Sequence, residues 1–333
     1  MARKREQQDV HGWLILDKPL GISSTQALGK VRWLLKAAKG GHCGTLDPRA
    51  TGVLPLAFGE ATKTLNFALD GDKTYHFTIQ WGSETATDDL EGETVATSNE
   101  LPNLIENNSL PSSEFYVAMQ QWLAVALPSF LGAVQQRPPA YSAIKIDGQR
   151  AYDLARAGQA PEMTARTVHI HDLRVLAWPT STSTTLEVRC GKGTYVRSLA
   201  RDLGRATGWL GHVSMLRRVA CGPFTEADAI SLEKLEALCH RAASENSLAG
   251  LLRPIETVLD GIPALAVMDA EARRLQQGQR VPIKDMGVLP SEGETLREAE
   301  AVLVTSAGRP LGLFRIEHGV LKAIRLFNLD ARS

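Results

Sequence analysis

Apolar positions fall into short runs separated by turn chemistry along the 333-residue chain. Trp13-Leu14-Ile15-Leu16 is closed by Asp17-Lys18-Pro19-Leu20-Gly21, the pattern of a strand running into a turn. Ala27, Leu28, Val31, Leu34 and Leu35 then recur at helical spacing behind Ser23 and Ser24, either of which suits an N-cap, and Gly40-Gly41 closes that helix. A loop over 42–51 leads into a second apolar run over 53–58, and a helix-like stretch over 60–69 ends at Asp70-Gly71. From Lys73 to Trp81 the pattern becomes alternation. Tyr75, Phe77, Ile79 and Trp81 fall on one side, His76, Thr78 and Gln80 on the other, which predicts a half-buried strand.

Residues 83–113, rich in acids, Ser, Asn and Pro, predict an exposed connection, and 115–131 is apolar enough for a buried helix. A loop over 137–143 precedes a helix over 149–157, strands over 166–177 and 184–190, and a tight turn at Gly191-Lys192-Gly193-Thr194. A helix over 195–206 aligns Val196, Leu199 and Leu203, and a strand follows over 213–219. From about residue 255 the texture changes. A helix within 263–281 is flanked by strands, 301–305 and 311–316 form a hairpin, and 321–327 is a last strand. Short strands of this size predict a small β-rich C-terminal domain over 255–333, behind a main domain over 12–254 and a flexible tail over 1–11.

With 44% apolar and 22% charged residues the chain can bury a core, which excludes a wholly disordered protein. No run approaches the ~18 apolar residues of a membrane span. Arg3-Lys4-Arg5 runs into Glu6-Gln7-Gln8-Asp9 rather than an apolar stretch, so a cytoplasmic protein is expected. Cys43, Cys190, Cys221 and Cys239 lack zinc-site spacing and are read as reduced thiols. His169 and His171 share one strand face and are read as solvated; no metal site is expected. The balance of 37 basic and 37 acidic residues hides local asymmetry. Residues 1–50 hold nine Lys/Arg against four acids, 189–218 seven against Asp202 alone, and 81–114 eight acids with no Lys or Arg. Such patterning suggests a polyanion contacted by the basic segments with the acidic one turned away, although a solvated charged surface reads equally well from charge alone.

No P-loop, nucleophile elbow or His-Glu-x-x-His is present. The densest cluster is Gly40-Gly41-His42-Cys43-Gly44-Thr45-Leu46-Asp47-Pro48-Arg49-Ala50-Thr51-Gly52. Pro48 biases Asp47 away from helix, and the glycines let the backbone pass close to a neighbour. An ordinary Asp-Pro turn and a presented carboxylate both fit these residues. Arg197 sits inside an apolar-faced helix directly after a Gly-Lys-Gly-Thr-Tyr turn and by itself reads as a surface helix arginine.

Five segments together resemble the TruB family, the tRNA pseudouridine-55 synthases. They are Gly41-His42-x-Gly44-Thr45-Leu46-Asp47-Pro48-x-Ala50-Thr51-Gly52-Val53-Leu54-Pro55; Leu16-Asp17-Lys18-Pro19-x-Gly21-x-Ser23-Ser24; Lys73-x-Tyr75; Pro138-Pro139-Ala140-Tyr141-Ser142-Ala143-Ile144-Lys145; and the run from Gly193 to Gly204. The resemblance spans about 12–225 and implies an α+β fold, a mixed, largely antiparallel sheet flanked by helices and loops, with a PUA-like RNA-binding domain at the C-terminus. It implies isomerisation of uridine 55 in the tRNA T stem-loop, by base flipping and without cofactor. It places the nucleophile on Asp47, with removal of a sugar proton to give a glycal as the alternative route for that carboxylate, and its guanidinium partner, whose fork Lys cannot reproduce, on Arg197. Tyr75 matches the family's catalytic tyrosine, which stacks on the uracil and assists loss of the C5 proton; Tyr195 and Leu216 match positions lining the uracil pocket, and His42 the residue that fills the place of the flipped base. Lys18, Lys145, Arg217 and Arg218 are the expected RNA backbone contacts, with the acidic 81–114 stretch off the RNA face. Cys43 and Arg49 depart from the family pattern, which has a small residue or Thr and an apolar residue there. A monomer is expected. The alternatives are an RNA-binding or tRNA-folding chaperone without turnover, and a glycosidase-like hydrolase releasing uracil.

Overall fold

The computed structural model of the protein describes residues 8–98, 113–142, 144–146, 148–159, 161–241, 250–283, 296 and 298–329. Its strands, in chain order, are β1 (Gly12–Lys18), β2 (Gly40–His42), β3 (Ala50–Phe58), β4 (Lys73–Trp81), β5 (Ser83–Thr85), β6 (Thr94–Thr97), β7 (Gly132–Gln136), β8 (Lys145–Ile146), β9 (Gln149–Arg150), β10 (Arg166–Thr180), β11 (Ser183–Cys190), β12 (Gly211–Cys221), β13 (Phe224–Thr225), β14 (Ile230–Ser231), β15 (Ala264–Ala266), β16 (Val281–Pro282), β17 (Val302–Ser306), β18 (Arg309–Glu317) and β19 (Val320–Leu326). The helices used below are α1 (Ser24–Leu34), α2 (Leu65–Asp70), α3 (Ser113–Ala126), α4 (Ala151–Arg156), α5 (Val196–Thr207) and α6 (Leu232–Arg241).

A ten-stranded sheet runs β14-β1-β3-β12-β4-β11-β10-β7, with β2 beside β3 and β13 beside β12. The β1–β14 and β3–β12 pairs are parallel and the others antiparallel, so the fold is α+β with a mixed, largely antiparallel sheet, as expected. The apolar runs read from the sequence become its central strands because they are covered on both faces. Leu14, Leu16, Leu54 and Leu56 pack under α1 and α6, while Phe77, Ile79, Leu186 and Val188 pack with Met119 and Leu123 of α3 and Leu199 and Leu203 of α5. A second, five-stranded sheet, β15-β17-β18-β19-β16, lies C-terminal to it. Trp13, Phe224, Ile255 and Leu259 meet Leu303, Leu313 and Phe327 in one apolar cluster, which seats the second sheet against the first.

The choice of helix cap is settled by tertiary contact. Ser23 caps α1 in a capping box with Gln26, whereas Ser24 Oγ takes the Leu46 amide at 2.8 Å and donates to the Leu46 carbonyl at 3.1 Å, gripping the loop that carries Asp47. Several expectations are corrected. The 83–113 connection is not wholly exposed: Glu84, Asp88 and Asp89 are buried, and β5 pairs with β6; residues 99–112 lie outside those described. The 115–131 helix buries Met119 and Leu123 but exposes Val117, Trp122 and Val125. Gly40-Gly41 belongs to β2, and α1 ends six residues earlier at Leu34. Gln149-Arg150 forms a strand ahead of α4. The expected tail over 1–11 is tied down over its last residues, since Gln8 N donates to Lys36 O at 3.0 Å and His11 Nδ1 accepts the Glu60 amide; residues 1–7 lie outside those described. Among the described residues no helix is long and apolar enough to cross a membrane.

Gly52 shows how tightly the sheet centre is built. It has φ +99°, and a Cβ there would lie 2.2 Å from the Arg218 carbonyl oxygen of β12. Gly52→Ala is therefore expected to destabilise the protein by about 2 kcal/mol or more, read as a lowered urea midpoint. An unchanged midpoint would show that β3 and β12 can separate without cost.

Candidate active site

The register of the central strands determines which side chains meet. Leu216 of β12 lies opposite Ala50, the first residue of β3, and Arg218 lies opposite both Gly52 of β3 and Tyr75 of β4. The loop ending at Ala50 carries Asp47; β11 ends at Cys190, and the turn beyond it delivers Tyr195 and α5 to the same place. Asp47, Tyr75, Tyr195, Arg197 and Leu216 accordingly line one cavity of about 450 Å³, a size usual for small-ligand sites. Sequence separations of up to 169 residues between Asp47 and Leu216 are closed by strand pairing alone.

Arg197 Nε lies 2.9 Å from Asp47 Oδ2. The guanidinium is 6% exposed and the carboxylate 39%, so a buried cation presents a solvent-facing anion. The Nε–H is not directed at the carboxylate oxygen, and the contact is a close ion pair rather than a linear hydrogen bond. The expected fork is used elsewhere: Nη1 donates to Thr87 O and Nη2 to Tyr141 O, each at 2.9 Å, with Asp89 Oδ2 3.7 Å from Nη1. One guanidinium thereby joins the 43–49 loop, the 84–93 segment and the 137–142 loop. A second cavity of about 540 Å³ lies across the pair, lined also by Thr87, Asp89, Glu91, Tyr141, Ser142, Tyr152 and Arg156.

The hydroxyl of Tyr75 is buried beside the Arg218 guanidinium, and burial pushes the phenol up to about 12 against that cation's pull. Tyr75 is thus a neutral hydrogen-bonding ring at physiological pH. Tyr195 is fixed from behind, where Gln136 of β7 accepts its amide at 2.7 Å and donates to its carbonyl at 3.0 Å.

Two of the four expected RNA backbone contacts, Lys18 and Arg218, are corrected by burial. Lys18 is fully buried and donates to the carbonyls of Pro19, Ile22 and Pro48, and burial draws its ammonium down to about 8. Arg218 is 1% exposed and donates to the carbonyls of Val53, Cys43 and Gly44. Arg217 is held by Asp17 and Glu226. Lys145 alone stands exposed, on the β8–β9 hairpin. His42 is half-buried on β2 and lines neither cavity; burial, and then Arg218, lower its imidazole pKa.

The basic 189–218 segment is not an open cationic patch. Arg189 pairs with Asp72, Lys192 with Asp70, Arg201 with Asp88 and Asp202, and Arg205 with Glu84. The acidic segment, expected to face away, is the counter-charge of α5 and forms one wall of the second cavity. Sequence reading missed Asp88, Asp89, Gln136 and Arg201, whose roles are set by contacts between segments far apart in the chain; the four-residue spacing of Arg197, Arg201 and Arg205 was the available signal.

Cys43, Cys190 and Cys221 are buried free thiols, and Cys239 is partly exposed. The His169 and His171 rings lie 4.8 Å apart, with His171 on Asp72. Among the described residues no cluster of three or more His, Cys, Asp or Glu is placed to hold a metal ion.

In fold the chain is similar to the crystal structure of a Cbf5-Nop10-Gar1 complex, with a TM-score of 0.64 and 21% identity over 95% of this chain and 85% of that one. An H/ACA RNP bound to a substrate RNA containing 2′-deoxyuridine gives a TM-score of 0.65 at 20% identity over the same shares. Residues 32–196 match the TruB family pseudouridylate synthase N-terminal domain, and residues 197–260 the tRNA pseudouridylate synthase B C-terminal domain. Relatives called tRNA pseudouridine synthase B are 49% identical in Bradyrhizobium diazoefficiens (98% of this chain, 88% of the relative) and 46% identical in Caulobacter vibrioides (99% and 100%). The architecture is that of a pseudouridine synthase, and the chain belongs to the TruB family.

The Asp88–Arg201 pair gives a pH signature. Burial raises the Asp88 carboxyl from 3.8 to about 6, against the pull of Arg201 and Arg197. The folded chain then binds this proton more tightly than the unfolded chain, so its contribution to stability falls as pH rises between about 4 and 6. Urea unfolding across that range is expected to show this slope in the native protein and not in Asp88→Asn. Identical slopes would remove Asp88 from the titration.

Proposed function

We propose that the protein isomerises uridine 55 in the T stem-loop of tRNA to pseudouridine, with Asp47 as nucleophile. The observation that carries this reading is the partly exposed Asp47 carboxylate held by the buried Arg197 guanidinium in the wall of a cavity that also contains Tyr75, Tyr195 and Leu216. Family membership and relatives called tRNA pseudouridine synthase B support the RNA substrate.

The reaction breaks the N1–C1′ bond, turns the uracil and joins C5 to C1′; the C5 proton leaves and N1 gains one. Atoms and electrons balance within the nucleoside, so neither a redox partner nor a group donor is required. A carboxylate at C1′ captures the electron-poor sugar carbon while the base turns, as glycosidase carboxylates do. Arg197 keeps that carboxylate charged and aimed in a site from which the entering base excludes water. Tyr75, with its hydroxyl protonated, offers a ring face to the uracil, and Tyr195 and Leu216 complete the apolar slot. The target base has to leave its stack to enter, at a cost of a few kcal/mol. Lys145 serves the RNA backbone from its exposed hairpin, and the five-stranded C-terminal sheet is read as the PUA-like RNA-binding module of a separate domain.

A T-arm stem-loop tritiated at C5 of its uridines tests this reading. Tritium release with the base retained is the expected result. Release of free uracil would make the protein a hydrolase, and binding without either would leave a chaperone. Asp47→Asn should abolish release while RNA binding persists. Arg197→Lys should lower turnover by about a hundredfold or more, because a single ammonium cannot hold Asp47, Thr87 O and Tyr141 O together. Full turnover in either variant would overturn the assigned pair.

A further inference from the structure

Two of the four cations expected to meet the RNA backbone are buried and a third, Arg217, is held in ion pairs, yet the substrate of the reading above is a polyanion. The cavity wall itself supplies a replacement. Of its cations, Arg197 is paired with Asp47 and Lys192 with Asp70, while Lys73 donates to Leu69 O and Gly71 O and Arg218 to the carbonyls beneath the Asp47 loop. Arg166 is arranged differently. It is the first residue of β10, opposite Gln136 of β7, and its guanidinium lies 5.2 Å from the centroid of the Tyr195 ring. Nη2 donates to Gly193 O at 2.9 Å. Nε is shut off from solvent and, among the described residues, has no hydrogen-bond partner; no carboxylate among them pairs with the guanidinium.

Nη1, by contrast, has no hydrogen-bond partner among the described residues and is not closed off from solvent, which leaves a charged donor open toward the cavity. One face of this guanidinium lies over the Tyr195 ring and Nε is closed off, so its free capacity is at Nη1, toward the open cavity. An edge with a fixed fork of donors suits phosphate oxygens better than the face of a base. When a nucleotide enters with its base toward Tyr75 and its sugar toward Asp47, its phosphodiesters remain outside the slot, where the chain continues.

We propose that Arg166 binds a phosphodiester flanking the everted uridine. This assignment rests on the uridine-isomerase reading. The contact would set the depth at which the nucleotide enters, and so the distance between C1′ and Asp47, while the stacked guanidinium keeps Tyr195 in place.

The test uses the full chain and T-arm stem-loops carrying a neutral methylphosphonate at the linkage on the 5′ or the 3′ side of the target uridine. Tritium release and RNA binding are measured for the wild type, Arg166→Gln and Arg166→Lys. Arg166→Gln is expected to lower kcat/KM about tenfold or more, mainly through KM. One of the two neutral linkages should cost the wild type a similar factor while costing Arg166→Gln less than about twofold, and Arg166→Lys should recover most of the loss. Equal sensitivity of wild type and Arg166→Gln to both linkages would overturn the assignment. So would a lysine variant as impaired as the glutamine one while melting like the wild type, since stacking on Tyr195 would then be the whole role. The binding measurements separate this proposal from the reading beneath it. Coupling between Arg166 and one linkage in binding, without any tritium release, would sink the isomerase and leave the phosphate contact; release without coupling would do the reverse.

Discussion

One guanidinium organises the site. Arg197 reaches three segments far apart in sequence, Asp47 on the first loop, Thr87 and Asp89 on the second, and Tyr141 on the third. A buried cation is tolerable only when its charge is compensated, and here two carbonyls accept hydrogen bonds from it and the Asp47 and Asp89 carboxylates lie close by as counter-charges. The consequence is mutual: the loops need Arg197 for their positions, and Arg197 needs the loops to remain charged out of water. Its neighbours extend the arrangement along α5. Ser198 Oγ and Arg201 Nη2 both donate to Arg137 O, and Arg201 Nη1 holds Asp88, so the segments bearing Tyr141 and Thr87 are gripped a second time.

Beneath the catalytic loop, Arg218 explains two glycines of the motif, Gly44 and Gly52. Its guanidinium fills the space under Cys43 and Gly44, and a Cβ on Gly44 would lie 3.1 Å from Nη1. At Gly52 the Arg218 backbone itself forbids a side chain. Lys18 supports the far end of the loop through Pro48 O, as Ser24 supports its middle through Leu46. A cation on either side and a hydroxyl between hold the 43–49 backbone, which allows Asp47 to stand partly in solvent without the loop around it moving away.

Charge along the chain therefore carried two different messages. A local excess of arginine reads as a polyanion-binding surface when its partners are distant in sequence. Folding places Glu84, Asp88 and Asp89 against α5; Arg197, Arg201 and Arg218 become internal, and the remaining cations of the 189–218 segment are ion-paired. The cation whose donors are left over, Arg166, comes from a strand without any notable basic density. Counting charges by segment ranks residues by abundance, whereas binding depends on which donors remain unsatisfied once the chain has closed on itself.

The amino-acid sequence by itself determined most of the elements. The alternation over 73–81, the strands over 166–177 and 184–190, the helix behind Gly-Lys-Gly-Thr-Tyr and the β-rich C-terminal region follow from local periodicity and turn chemistry, which act over a few residues. The motifs also marked Asp47, Tyr75 and Arg197 as the residues to watch. Only the tertiary structure decided which arginine edges and carboxylates meet, that Ser23 rather than Ser24 caps α1, that Lys18 and Arg218 lie underneath the loop instead of above it, and that the acidic segment faces the site. These outcomes depend on strand register and on the requirement that every buried charge find a partner. Both link residues a hundred or more positions apart, beyond the reach of any local pattern.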